Sequence, residues 1–142
     1  MKSFSRKKSV VTALAVVACT FLMVKVLSAC TPKDHSDPSL KGKKVLYVYG
    51  GWEGHDPKPS VDLFVPWLKS EGAEVIVSDN LNSYTDSALM SSVDLVIQIW
   101  TMGKITKEQE AGLLKAVRGG TGLAGWHGGT GDSFRDNVEY QF

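Results

Sequence analysis

Two histidines of this 142-residue chain stand where side-chain chemistry can be done. His55 lies in Gly50-Gly51-Trp52-Glu53-Gly54-His55-Asp56, and His127 in Gly122-Leu123-Ala124-Gly125-Trp126-His127-Gly128-Gly129. An imidazole titrates near neutral pH, so it can act as a general acid or base, and its neutral form ligates metals. Carboxylates sit close by in sequence, with Glu53 and Asp56 beside His55 and with Asp132 and Asp136 after His127. Such groups orient an imidazole or complete the shell of a divalent metal such as zinc. The plain alternative is a pair of hydrogen-bonded loop histidines. His35 lies in a polar stretch and is set aside.

The residues around the histidines suit a ligand. Seven of the 14 glycines fall between Gly119 and Gly131, where a sharp turn would expose backbone N–H groups to an anion or a developing oxyanion. A tight turn with no ligand accounts for the glycines equally well. GxxxxGK[ST] does not occur, which argues against P-loop phosphate binding. Trp52, Trp100 and Trp126 end strands or follow them, and flat aromatic walls suit the C–H faces of sugars, although such rings also cap cores. The candidate ligand-binding set is Gly51, Trp52 and Asp56 in the first loop and Trp126, Gly128, Gly129 and Asp132 in the second.

Both loops must be positioned by regular elements. Lys43–Tyr49 reads as a buried strand halted by Gly50-Gly51. Val61, Phe64, Val65 and Leu68 make one helix face, with Ser60 as N-cap, Pro66 as a bend and Gly72 as the stop. Glu74–Val77 is a second strand, and Ser83–Met90 a short helix with Ser83 and Asp86 at capping-box spacing. Val93–Trp100 is the most hydrophobic strand. Thr106 and Gln109 form a capping-box pair ahead of Leu113, Leu114 and Val117, and Gly119-Gly120 ends that helix. Gly122–Trp126 is a fourth strand running into His127, and Asp132–Phe142 could begin a further helix.

Strands alternating with helices imply right-handed βαβ units, and hence a flavodoxin-like three-layer α/β sandwich with a parallel sheet. Ligands of such sheets bind beyond the strand carboxyl ends. With strands ordered 2-1-3-4, about 10 Å separates the axes carrying His55 and His127, a gap that two loops can close. A strand that enters a sharp turn among small residues has the geometry of a nucleophile elbow, with His127 at its apex.

The charge distribution sets the first thirty residues apart. The chain has 16 basic and 15 acidic residues. Five of the basic ones and no acidic one lie in residues 1–29, which leaves 11 against 15 afterwards and a net charge of −4. A mildly acidic body without a basic stripe argues against nucleic acid as a partner. Lys2–Lys8 and the apolar run Val10–Val24, ended by Lys25, read as a secretory signal, shorter than the about 20 apolar residues of a membrane span. An uncleaved anchor helix is the alternative. Residues 30–42 are polar and read as a tether.

Leu27-Ser28-Ala29-Cys30 resembles the lipobox of bacterial lipoproteins, which implies cleavage and lipidation at Cys30. It also implies residence in the bacterial cell envelope, in the periplasm or on the outer surface, with the membrane reached through the lipid. Val16-Val17-Ala18-Cys19 fits the pattern more loosely. Processing at Cys30 leaves a body from residue 43 onward with no cysteine, and therefore no thiol nucleophile, disulfide or cysteine metal site.

The first-strand loop, the turn Gly122–Gly129 and the following Asp132-Ser133-Phe134-Arg135…Tyr140 together resemble the ThuA-like (trehalose utilisation) domain, over about Lys43–Phe142. The resemblance implies a class I glutamine amidotransferase-like fold. The amidotransferase nucleophile position falls on His127, so the resemblance implies the fold and not glutamine hydrolysis. It implies a role with trehalose, related disaccharides and their 3-keto forms. Members of the family continue past the match to Phe142 with a further histidine-bearing loop and more strands, so four strands and an incomplete domain are expected here. Two classes of function stay open. One is an enzyme with His127 and His55 as acid–base pair or metal ligands. The other is a lipid-anchored module that binds a small carbohydrate without turning it over.

Overall fold

A computed structural model describes residues 39–141. The expected signal peptide, Cys19, Cys30, His35, the tether up to residue 38, and Phe142 lie outside the described residues. The final residues assigned to the tether belong to the body. Leu40 packs on the core, and the Gly42 N–H donates to the Gly72 carbonyl at 3.1 Å.

Four strands, β1 (Lys44–Gly51), β2 (Glu74–Ser78), β3 (Leu95–Thr101) and β4 (Gly122–Ala124), form one parallel sheet in the order β2-β1-β3-β4. This is the expected order. The helices are α1 (Pro57–Ser70), α2 (Ser87–Ser92), α3 (Lys107–Arg118), α4 (Gly128–Gly131) and α5 (Val138–Gln141). Alternation along β1 feeds two cores. Val45 and Tyr47 pack with Val61, Val65 and Leu68 of α1, while Leu46 and Val48 pack with Met90, Leu113 and Phe134. Burying each such apolar side chain contributes roughly 1.5–3 kcal/mol, so a sheet covered on both faces is the stable arrangement. The result is the three-layer α/β sandwich read from the sequence.

Several boundaries differ from expectation, each for a local reason. Strand β1 runs through Gly50 and Gly51, which pair with Trp100 and Thr101. A Cβ on Gly51 would stand 2.2 Å from the Thr101 carbonyl oxygen, so only glycine keeps this ladder closed. Helix α1 starts at Pro57, whose fixed φ suits a first helical position, and not after Ser60. The Ser60 hydroxyl instead donates to the Pro57 carbonyl at 2.6 Å. The helix continues through Pro66.

The segment 83–90 is divided. A 3-10 turn covers Leu81–Thr85, and Asp86 then caps α2 by accepting from the Leu89 N–H at 2.9 Å. Asp86 is thus itself an N-cap, and the Ser83 capping box is corrected. The Thr106–Gln109 box forms as expected, with both reciprocal bonds present. Strand β4 ends at Ala124, and all three of its residues are exposed. Gly125 and Trp126 leave the strand to enter the turn that carries His127. After α4 the chain stays irregular, apart from a bridge between Ser133 and Met102, until the one-turn helix α5.

Candidate functional site

Sheet order and loop geometry bring the two histidines together. A 3-10 turn, Glu53–His55, follows β1, and the elbow at His127 follows β4. The two imidazole centroids are 5.0 Å apart, with the rings tilted by 58°. His55 is fixed on two sides. Its Nδ1 is hydrogen-bonded to Thr101 Oγ1 at 2.9 Å, and Trp52 meets it edge-on at 4.8 Å. Thr101 is buried at the end of β3, so its hydroxyl anchors the ring and leaves Nε2 as the nitrogen available for chemistry.

The main chain at His127 has φ 48 and ψ −134. For a residue with a Cβ this strained region costs of order 1–3 kcal/mol and persists where the surroundings over-determine it. The angles are those of a strand–elbow–helix turn that holds its apex side chain out toward solvent, and His127 is exposed. Gly128 makes the pairing possible. A Cβ on Gly128 would lie 2.4 Å from Cε1 of His55, so any larger residue would displace that ring.

An open cleft of ≈ 600 Å³ lies over the pair. Its walls include Trp52, Met102, Gly128, Gly131, Asp132 and Arg135. The Arg135 guanidinium, which donates to Asp132, holds that carboxyl below the usual carboxylate range, and the charges of His55 and His127 act in the same direction. Among the described residues, no group of three or more His, Cys, Asp or Glu side chains is placed to hold a metal. The pair therefore offers two nitrogen donors rather than a full zinc shell.

The expected ligand-binding residues divide. Trp52, Gly128 and Asp132 line the cleft. Trp126 instead packs on Phe64 of α1, with ring centroids 4.6 Å apart, and Trp100 is half-buried against the core cluster that holds Leu46 and Phe134. Gly51 serves the β1–β3 ladder, and Asp56 is the exposed cap residue between the 3-10 turn and α1. Gly129 packs on Ile99 and donates its N–H to the Trp126 carbonyl, while the Gly131 N–H goes to the His127 carbonyl. Those two amides close the turn, so the anion cradle expected of the glycines is partly consumed.

Other residues at the site had weaker sequence signals or none. Gln98 interrupts the apolar run of β3 and is fully buried. Its Oε1 accepts from the Tyr84 hydroxyl at 2.8 Å, and its Nε2 donates to Ser133 Oγ at 3.0 Å and to Tyr140 Oη at 2.6 Å. The Ser133 hydroxyl donates to the Trp100 carbonyl at 2.6 Å, and the Tyr140 hydroxyl to the Thr130 carbonyl at 3.1 Å. Thr130 Oγ1 donates to the main-chain carbonyl of Gln98 at 2.8 Å. This satisfied network clamps α4, and with it the His127 elbow, onto β3. A polar residue in a buried strand was the available clue.

Known proteins agree with this architecture. The ThuA family profile, described as trehalose utilisation, matches residues 44–142.

The chain belongs to the ThuA family.

The ThuA assignment accords with a solved fold. The crystal structure of a ThuA-like protein from Bacteroides uniformis superposes with a TM-score of 0.52 at 16% identity, over 70% of this chain. That overlap is 41% of the other protein, so this ThuA chain spans about two fifths of that relative's length. No curated protein gives a match.

Proposed function

We infer that this ThuA-family chain acts on a carbohydrate of the trehalose type, including its 3-keto forms, through acid–base chemistry shared by His127 and His55. The observation that carries this reading is the strained elbow of His127, set in ring contact with His55 across an obligatory glycine. Strain at an exposed residue adds nothing to the core, so it is retained for what the side chain does. One imidazole takes a proton from the sugar while the other gives one, and ionised Asp132 stabilises whichever ring is charged. Thr101 holds His55 in place for that exchange. Trp52 offers a flat wall to the sugar's C–H face.

The test is turnover of 3-keto-trehalose by the full-length protein and by His127→Ala and His55→Ala. Removing one member of an acid–base pair lowers the rate by about 10²–10⁴-fold. Unchanged turnover in both variants would remove the acid–base reading. A binding module without turnover is the second reading, favoured by the openness of the cleft and by the exposure of Trp52. Calorimetry with trehalose decides it: binding with no turnover of either sugar supports the module.

The pattern ending at Cys30 supports a lipid-anchored protein of the bacterial envelope. An intact mass from a membrane fraction equal to a chain starting at Cys30 plus acyl groups is the expected result. An unacylated chain that still begins at Met1 would overturn it.

A further inference from the structure

Four non-glycine residues among those described have positive φ: Asp56, Met102, His127 and Phe134. Two of the four line the cleft and the other two are next in sequence to residues that do. Met102 and His127 line it, Asp56 follows His55, and Phe134 precedes Arg135. For Asp56 and His127 the conformation places the two histidine turns, and Phe134 is buried in the core. Met102 has no such reason.

Met102 sits just beyond β3 with φ 60. Its N–H donates to the Asp132 carbonyl at 3.0 Å, and its carbonyl accepts from the Phe134 N–H at 3.4 Å. These bonds fix the left-handed backbone whatever the side chain. Glycine adopts that conformation without steric conflict, and Gly103, the next residue, has φ 76. Yet position 102 carries a long unbranched side chain that is 40% exposed. It is not core packing, and it strains the turn. Its thioether offers apolar, polarizable surface to a cleft whose other walls are Trp52, two glycines, the imidazoles, the Asp132 carboxylate and the Arg135 guanidinium.

We propose that Met102 is a ligand-contacting specificity residue, an apolar wall that with Trp52 receives the C–H face of a pyranose ring. This rests on the carbohydrate reading above and adds the ring face that the site selects. A cleft with two apolar surfaces and a polar rim suits a cyclic sugar, which has both kinds of face, better than an open-chain polyol.

The experiment is calorimetric titration of the full-length protein with trehalose and 3-keto-trehalose, with melting temperatures measured in parallel. Met102→Gly and Met102→Asn, both tolerant of positive φ, are expected to melt no lower than the parent and to bind about tenfold more weakly. Met102→Leu keeps an apolar wall and is expected to keep the parent affinity. A Met102→Gly or Met102→Asn protein that binds like the parent overturns the proposal and leaves the histidine reading intact. A clear fall in melting temperature in both variants also overturns it, because the side chain would then be serving the fold. Failure of the parent to bind either sugar removes the carbohydrate reading and this proposal together.

Discussion

The side-chain amide of Gln98 donates to the phenol oxygen of Tyr140 across 2.6 Å, tying the middle of the sheet to the last helical turn of the described chain. Tyr140→Phe deletes that acceptor, leaving one Gln98 Nε2 hydrogen without a partner, and takes from the Thr130 carbonyl one of its two donors, the Ser133 N–H remaining. Leaving such buried groups unpaired costs about 1–3 kcal/mol. The urea midpoint should fall accordingly, with an unchanged m-value. A midpoint equal to the parent's would mean that water replaces the phenol and that the clamp does not depend on Tyr140.

Gly128→Ala is the smallest change that should separate the two histidines. Its new Cβ would meet His55 at 2.4 Å and the Thr101 methyl at 3.3 Å. The His55 ring must swing away, and the bond to Thr101 must lengthen or break. Turnover should drop by about 10²-fold or more, as when a catalytic pair is misplaced. A crystal structure of the variant with the two rings still in contact, together with full turnover, would contradict the role given to this glycine.

His127→Gly should lose activity and gain stability. Relief of the elbow strain outweighs glycine's greater chain entropy by about 1 kcal/mol. Differential scanning calorimetry on the same sample used for turnover tests both halves. A lower melting temperature would mean that the imidazole contributes packing that outweighs the strain.

The two exposed loop tryptophans should behave differently. Trp52→Ala removes a wall of the cleft and should weaken trehalose binding. Trp126→Ala removes the contact with Phe64, worth about 0.5–1.5 kcal/mol beyond the buried area, and should lower stability while leaving binding as it was. Reversed phenotypes would reassign the sugar face to Trp126.

Alkaline pH should weaken the fold through its buried phenols. Burial raises the Tyr84 hydroxyl far above its ordinary 10.0, and it raises Tyr140 in the same direction. The folded chain therefore holds these protons while the unfolded chain releases them. The corresponding stability is fully present below pH 10 and is lost as pH rises toward the folded values, by about 1.4 kcal/mol per unit for each tyrosine within that window. Urea titrations between pH 9 and 11 should show the decline, with a shallower slope in Tyr84→Phe. An equal slope in that variant would place the effect elsewhere.

Much of this arrangement was legible because it follows from periodicity and topology. Val45–Val48, Val96–Ile99 and the α1 face around Val61, Val65 and Leu68 announce their elements through spacing. Once the strands are ordered, His55 and His127 must meet at one edge. Thr101 and Met102 were hidden because they lie at a strand end, where a side chain's direction depends on how the turn is closed from outside. The bonds from residues 132–134 that bend Met102 are long-range, and no local pattern encodes them. The contact of Trp126 with Phe64 is hidden for the same reason, since Phe64 lies on an element 62 positions earlier. Tyr140 had no readable role until Gln98 was found to need a partner.

The angles at His127 also give the turn a memory. Only glycine holds them without strain, so a lineage that stopped using the imidazole would be free to replace it and would become sturdier by doing so. Histidine at this apex is therefore held against a standing pressure for its loss. Across the descent of related chains, a single codon at the elbow would record where the chemistry was kept and where it was abandoned.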